Sequence, residues 1–180
     1  MRQQVLPLLF CSLSLIVACG DDGGSAAPDA QAASEDAMVG CSSQPSLCAA
    51  PVFISSTDLS GMMGSAGLQI VDVRSQGDYE ASHIESALHV EASSVRGSVD
   101  GIGGQVADLA TTESVFANAG LSNDAKIVVY GGATDTGATR VYWTLRYYGH
   151  ENVSVLDGGI GVWSGATATG ASGATKSDYK

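Results

Sequence analysis

The clearest pattern of apolar positions in the chain lies at residues 126–130. This segment, Lys-Ile-Val-Val-Tyr, leads directly into residues 131–137, Gly-Gly-Ala-Thr-Asp-Thr-Gly, and then into an amphipathic segment at residues 138–148. A continuous apolar run of this length is typical of a strand buried on both faces of a parallel sheet. The sequence therefore predicts a strand, a tight loop and a helix. The loop would lie where backbone N–H groups and the helix dipole favour an anion.

The apolar pattern on either side predicts further strands and helices. Strands are predicted at residues 52–54, 68–74, 87–90 and 153–156, and helices at residues 55–63 and 111–119. Residues 75–82 are predicted to form a polar turn or short helix, residues 93–106 a loop, and residues 157–163 a turn followed by one helical turn. Strands that alternate with helices indicate a small α/β domain, with a mainly parallel sheet flanked by helices.

Composition separates this domain, predicted at residues 51–163, from the segments on either side. Residues 20–50 are rich in Gly, Ala, Ser and Asp and contain no Lys or Arg. Such a composition cannot form a core, so residues 19–50 are predicted to be a flexible acidic tether with a reach of roughly 30 Å. Residues 164–180, again mostly small, are predicted to be a disordered tail or a truncated linker to a further domain.

The amino terminus carries the pattern of an export signal. Arg2 is followed by an uncharged stretch at residues 5–18, which is short for a membrane span and fits the apolar core of a signal peptide. Residues 15–19, Leu-Ile-Val-Ala-Cys, resemble a bacterial lipobox, which implies a signal peptide at residues 1–18 and attachment of acyl chains such as palmitate at Cys19. A plain signal peptide with a chance cysteine is the alternative. We expect an exported protein on the inner or outer membrane, with its domain in the periplasm or at the cell surface.

The remaining cysteines fit an exported protein. Cys11 falls within the signal, which leaves Cys41 and Cys48 for the mature chain. In an oxidising compartment the simplest prediction is a local disulfide between them. A redox pair is the alternative, although the spacing is not that of Cys-x-x-Cys. A metal site would need further ligands, and neither His nor another Cys lies nearby.

Charge excludes one class of function. The net charge is −11, and the eight Lys and Arg residues are scattered rather than clustered. Nucleic-acid binding needs a basic patch, so we do not expect it. The three histidines, His83, His89 and His150, are far apart in the sequence, which disfavours a zinc site. We expect His83 to have a structural role, and we expect no metal or cofactor.

Two blocks of the sequence resemble the rhodanese domain. Residues 70–74, Ile-Val-Asp-Val-Arg, followed by residues 79–87, are similar to that family's first signature, in which Asp-x-Arg precedes an aromatic residue and Gly-His-Ile-Pro-Gly-Ala. Here Ser82 replaces the first Gly, and Glu85 and Ser86 replace Pro-Gly. Residues 128–163 resemble the second half of the domain. The resemblance covers residues 52–163 and implies the rhodanese-like α/β fold.

The resemblance does not extend to the catalyst. Active rhodaneses have a Cys directly after the apolar strand, and its thiolate carries sulfur as a persulfide that loop N–H groups stabilise. Gly131 stands at that position, and the related arsenate-reductase and phosphatase forms need the same Cys. Asp135 adds negative charge where an active loop favours an anion. We predict no catalytic residue in this degenerate loop, which consists of Gly131, Gly132, Ala133, Thr134, Asp135, Thr136 and Gly137.

The helix after the loop leaves two functional hypotheses open. Its pattern from Arg140 to His150 is most similar to the non-catalytic, amino-terminal half of tandem rhodaneses, whose second domain carries the Cys. The chain is then either a binding or regulatory module, or the first half of a thiosulfate or mercaptopyruvate sulfurtransferase. In both cases the expected partners are the membrane, through the lipid anchor, and a protein or second rhodanese domain. We assign structural roles to Asp72, Arg74, His83 and Arg140.

Overall fold

The computed structural model describes residues 50–180, which form a parallel sheet with helices on both faces. The strands are β1 (Phe53–Ile54), β2 (Leu68–Asp72), β3 (His83–Ile84), β4 (Leu88–His89), β5 (Arg96–Val99), β6 (Ile102–Val106), β7 (Lys126–Tyr130), β8 (Val153–Leu156) and β9 (Thr167–Ala168). Five of them form the central sheet in the order β1-β8-β7-β2-β4, and every pair within it is parallel. The predicted fold class is therefore confirmed.

Within residues 50–180, four α-helices and two 3₁₀ turns accompany the strands. They are α1 (Ser56–Met62), α2 (Gln76–Ala81), α3 (Leu109–Asn118) and α4 (Gly137–Tyr147), with 3₁₀ turns at Ala92–Val95 and Gly159–Val162. The side chains of Ser55, Ser75 and Asp108 each accept a backbone N–H bond at the start of α1, α2 and α3. Because Asp108 is the cap, α3 begins two residues earlier than the sequence predicts. No helix among residues 50–180 has the length and apolar character needed to cross a bilayer.

Strand β7 divides the core into two layers. Ile127 and Val129 belong to one buried cluster, whereas Val128 and Tyr130 belong to the other. All four side chains are fully buried. The continuous apolar run thus reflects a strand that is covered on both faces.

For residues 93–106 the predicted loop is wrong. This segment is a 3₁₀ turn followed by the antiparallel hairpin of β5 and β6, rather than a loop. At the tip, Asp100 and Gly101 both adopt positive φ, at 52° and 78°. Two consecutive residues of this kind make the tight turn that suits a hairpin, and Asp-Gly is a preferred pair for it. The other glycines of the segment obscure the alternation that would have indicated strands.

The prediction of a disordered carboxyl-terminal segment is also wrong. Residues after Ser164 are predicted to be disordered, but β9 pairs antiparallel with β3. The Ser177 hydroxyl donates a hydrogen bond to the Leu121 carbonyl, and Tyr179 is buried. The small residues of this segment dominate its composition, so its few anchoring side chains were missed. The predicted signal peptide, the acidic tether and Cys19, Cys41 and Cys48 lie outside the described residues.

Candidate functional site

The loop between β7 and α4 occupies the position that the sequence predicts. It leaves the carboxyl end of β7, which lies between β2 and β8 in the sheet. Within the loop the Asp135 N–H donates to the Gly132 carbonyl at 3.2 Å. The Ile160 N–H donates to the Gly131 carbonyl at 3.0 Å, which ties the loop to the turn after β8.

The Asp135 carboxylate packs against the backbone of the loop, although Asp135 as a residue is exposed. Its Oδ1 accepts a hydrogen bond from the Gly137 N–H, at the first residue of α4, at 2.8 Å. A Cβ atom added at Gly131 would lie 3.1 Å from Asp135 Oδ2, and one added at Gly137 would lie 2.9 Å from it. The carboxylate therefore sits between these two glycines. It supplies the negative charge that the start of a helix favours.

Close packing also restricts the loop from the side of β8. A Cβ atom at Gly159 would lie 2.4 Å from the Gly131 carbonyl oxygen, and Gly159 has φ of 59°. Only glycine fits such an approach without displacing the loop backbone. At Gly131 itself, an added Cβ would also lie 3.5 Å from Val73 Cγ2. An added side chain at Gly131, where the family resemblance expects a Cys, would therefore meet chiefly the Asp135 carboxylate.

The described residues offer no thiol for sulfur chemistry. Residues 50–180 contain no cysteine. They also contain no cluster of His, Cys, Asp and Glu that could hold a metal ion. The hydroxyls near the loop belong to threonines, and the Thr139 hydroxyl donates to the Thr136 carbonyl at 2.8 Å.

Asp72 and Arg74 form a clamp at the end of β2. The fully buried Asp72 carboxylate accepts hydrogen bonds from Arg74 Nη2 at 2.6 Å, Arg74 Nε at 3.0 Å and the Arg74 backbone N–H at 2.9 Å. Arg74 Nη2 also donates to the Ser82 carbonyl at 2.6 Å. The bonds to Asp72 raise the pKa of the Arg74 guanidinium. The pair links β2 to the segment between α2 and β3. Its charge-assisted hydrogen bonds suit a role in orienting these two segments.

His83 and its neighbours are fully engaged in structural contacts. The His83 ring stacks on Tyr79 at a centroid distance of 3.9 Å, and its Nδ1 lies 2.8 Å from the Tyr79 carbonyl oxygen. The buried Tyr130 hydroxyl accepts the Ile84 N–H at 2.9 Å. Burial and the charge of Asp72 raise the pKa of Tyr130 far above its usual value. These groups hold β3 against the sheet.

Arg140 lies apart from the clamp, in a cleft beside the loop. A cavity of about 540 Å³ is lined by Arg96, Thr136, Thr139, Arg140 and Trp143. The Arg140 guanidinium carbon lies 5.9 Å from the centroid of the Trp143 ring. Sequence reasoning missed Arg96, because this residue was predicted to lie in a loop. The Asp-Gly pair at residues 100–101 is the signal that would have predicted the hairpin that carries it.

The fold and the loop define a rhodanese-type α/β domain, and the comparison with protein families identifies it. The model of the rhodanese-like domain matches residues 55–166. The chain therefore belongs to the rhodanese-like domain family.

Several sulfurtransferases are similar to the chain over part of their length. The mitochondrial thiosulfate/3-mercaptopyruvate sulfurtransferase 1 of Arabidopsis thaliana is 37% identical over 93 residues, which are 48% of this chain and 23% of the relative. The thiosulfate sulfurtransferase of Pseudomonas aeruginosa is 29% identical over 113 residues, which are 63% of this chain and 42% of the relative. The chain thus spans less than half the length of these two relatives.

A solved structure supports the same fold. The crystal structure of an Escherichia coli protein, described as showing the rhodanese fold and catalytic mechanism of 3-mercaptopyruvate sulfotransferases, aligns with a TM-score of 0.63 and 23% identity. The alignment covers 71% of this chain and 55% of the Escherichia coli chain. At this level of identity the similarity concerns the fold.

Proposed function

We propose that the protein is a non-catalytic member of the rhodanese-like family that acts as a binding or regulatory module. One observation carries this proposal. Gly131 stands at the position of the expected nucleophile, and the Asp135 carboxylate fills the space beside it, 3.1 Å from where a Cβ would lie. The loop provides an internal anion in place of a thiolate.

The chemistry of sulfur transfer supports this proposal. The transferred sulfur is held covalently on a thiolate, and an alcohol cannot replace that thiolate. The Gly137 N–H, one of the donors at the helix start, already binds Asp135 at 2.8 Å. An incoming anion would have to displace this carboxylate or be repelled by it.

The test is a thiosulfate:cyanide sulfurtransferase assay on the purified protein and three variants. We expect no turnover from the unmodified chain, and none from Gly131→Cys, because Asp135 would raise the pKa of the new thiol and occupy its anion site. The double variant Gly131→Cys/Asp135→Ala should gain turnover, since it restores a thiolate and frees the loop donors. Cyanide-dependent turnover by the unmodified chain would refute the proposal. The single variant Asp135→Ala is the matched control and should remain inactive.

A second candidate function is that of the amino-terminal half of a longer sulfurtransferase. The lengths of the relatives favour it, because this chain covers 23% of the Arabidopsis protein and 42% of the Pseudomonas protein. Trp143 and Tyr147 on α4 are partly exposed, at 48% and 62%, and could contact a second domain. The test is the DNA sequence downstream of the codon for Lys180. A following segment that encodes a strand, a Cys-containing loop and a helix would favour this candidate over the first.

We further propose that the protein is an exported lipoprotein, tethered by residues 19–50. The support is the lipobox-like segment that ends at Cys19 and the acidic, glycine-rich composition after it. Cys19→Ser should move the protein from the membrane fraction to the soluble fraction and abolish acylation. A variant that still sediments with membranes and still carries acyl chains would exclude Cys19 as the site.

The same location leads us to propose a disulfide between Cys41 and Cys48. The support is their separation by only six residues in a chain with an export signal. Reduction of the purified protein should increase its intact mass by the hydrogens of one bridge. Two free thiols in freshly isolated material would contradict the pairing.

A further inference from the structure

We propose that the cleft lined by Arg96, Thr136, Thr139, Arg140 and Trp143 binds a small ligand with an anionic oxygen-rich head, a carboxylate or sulfonate, on a flat apolar body. This site lies beside the loop rather than inside it. The inference goes beyond the proposed function, because it assigns a ligand class to a cleft outside the loop.

The two arginines of the cleft lack a neutralising partner. Within residues 50–180 the single salt bridge joins Arg74 to Asp72, so neither Arg96 nor Arg140 forms an ion pair there. Two cations that face the same cleft repel each other, and an anion between them removes this repulsion. The chain as a whole is strongly acidic, with a net charge of −11, which makes the local pair of cations distinctive. Guanidinium groups are well suited to bind carboxylate and other oxyanions through paired N–H donors.

The carboxylates of Asp108 and Asp135 both accept backbone N–H groups at helix starts. Asp108 lines the continuation of the cleft along the hairpin, together with Arg96 and Arg140. Its carboxylate accepts the Thr111 N–H at 3.0 Å and the Thr111 hydroxyl at 2.7 Å, and these bonds lower the pKa of Asp108. The Asp135 carboxylate accepts the Gly137 N–H at 2.8 Å. Both arginines therefore remain available to an external anion.

The threonines extend the polar side of the cleft. The Thr136 side chain makes no capping bond to α4, so its hydroxyl is available to a ligand. The Thr139 hydroxyl donates to the Thr136 carbonyl and retains acceptor capacity. These hydroxyls lie on the same wall as Arg140, one turn apart on the helix that starts at the loop. They suit the oxygen atoms of a carboxylate or sulfonate.

Trp143 provides the apolar side. Its side chain is 48% exposed, which leaves part of the indole face free for contact with a ligand. The Arg140 guanidinium at 5.9 Å from the ring centroid already uses the attraction between a cation and an aromatic face. A flat ligand could stack on the indole while its head reaches the guanidinium. The volume of about 540 Å³ lies within the range of small-molecule sites.

The experiment measures binding of benzenesulfonate, which carries both parts of the proposed ligand. Sulfate supplies only an anionic head, and benzyl alcohol only the flat body. Trp143 is one of two tryptophans, so in a Trp163→Phe background its fluorescence reports on the cleft. Isothermal titration of the unmodified protein provides a second readout that does not depend on this background. We expect saturable binding of benzenesulfonate at one site, at least about tenfold tighter than binding of sulfate or benzyl alcohol.

Substitutions in the cleft identify the site. Arg96→Gln and Arg140→Gln should each weaken benzenesulfonate binding by about tenfold or more, because each removes a charged hydrogen-bond donor. Arg146→Gln is the matched control, because Arg146 lies on the same helix but its Nη1 donates to the Glu151 carbonyl, and the cleft is not lined by it. This control should bind as the unmodified protein does.

Three results would overturn the proposal. The first is the absence of saturable binding up to about 10 mM benzenesulfonate, which corresponds to an affinity weaker than that of a specific site. The second is an equal effect of the Arg146 and Arg140 substitutions. The third is a tighter, Arg96-dependent binding of an acidic peptide, which would assign the cleft to a protein partner instead.

Discussion

Substitution of Tyr179 by alanine tests how the carboxyl-terminal segment is attached to the domain. The Tyr179 side chain is 7% exposed, and its ring makes an edge contact with Phe116 at a centroid distance of 5.3 Å. Burial raises the pKa of Tyr179 to about 12, so the hydroxyl stays protonated. That hydroxyl lies 3.3 Å from His150 Nδ1. His150 Nε2 lies 3.0 Å from the Ala125 carbonyl, which fixes the proton on Nε2 and leaves Nδ1 as the acceptor.

The magnitude follows from burial and chain entropy. An aromatic side chain buries roughly 150–250 Å², or about 4–6 kcal/mol at 25 cal/mol per Å². Fixing the backbone of Tyr179 itself costs about 1–2 kcal/mol, which offsets part of this gain. Since a chain end can detach without leaving a rigid cavity, Tyr179→Ala cannot cost more than the net free energy of docking. We expect a loss of about 1–3 kcal/mol in the free energy of unfolding, near the lower end of values for aromatic core residues.

The assay is urea-induced unfolding followed by tryptophan fluorescence. Tyr147→Ala is the matched control, because Tyr147 is 62% exposed and its removal should change stability by no more than about 0.5 kcal/mol. Removal of residues 171–180 should cost about as much as Tyr179→Ala, since Tyr179 provides the main anchor. A Tyr179→Ala effect no larger than that of the control would refute the reasoning. So would a truncated chain with an unchanged unfolding midpoint.

Three further predictions concern groups that hold the sheet and the loop. Tyr130→Phe should cost about 1–3 kcal/mol in urea unfolding, because it leaves the Ile84 N–H buried without its acceptor; an unchanged midpoint would show that water replaces the hydroxyl. Burial lowers the pKa of His150 below its usual value of 6.5. The contribution of neutral His150 to the free energy of unfolding is therefore fully present above pH 6.5 and is lost as the pH falls toward the folded-state pKa. His150→Gln should flatten this part of the pH profile, and an unaltered profile would assign the dependence to another group. Gly159→Ala should cost more than about 2 kcal/mol and shift the backbone amide resonance of Gly131, because the new Cβ would lie 2.4 Å from the Gly131 carbonyl; a stable variant with unshifted resonances would contradict this close approach.

In the family that the chain resembles, sulfur transfer depends on the loop after the central strand. In this chain that loop differs, because it has Gly131 at its start and the Asp135 carboxylate beside it. The Asp135 carboxylate takes a place beside Gly131 that an anionic substrate or persulfide would need. The adjacent Arg96 and Arg140 remain unpaired within the described residues. These two features are the reason that we propose an anion site on side chains of the cleft.

The sequence by itself determined the central elements and the presence of Gly131 directly after the central strand. The apolar run at residues 126–130 and the caps of the short helices are local patterns, and a local pattern encodes strand or helix directly. The sequence likewise shows directly that Gly131 is the first residue after the apolar run. The same patterns predicted the parallel sheet, because strands that alternate with helices have few ways to pair.

Only the tertiary structure decided which distant residues meet. Composition predicted disorder after Ser164, yet Tyr179 finds a pocket formed by Phe116 and His150, which lie far from it in sequence. Arg96 joins Arg140 because a hairpin brings it to the face of α4. These contacts arise from packing between elements, and no periodicity along the chain records which elements become neighbours. The orientation of Asp135 depends likewise on the turn that brings the start of α4 close to Gly131. The sequence showed the charge of Asp135, but only the structure showed that its carboxylate lies beside Gly131 and Gly137.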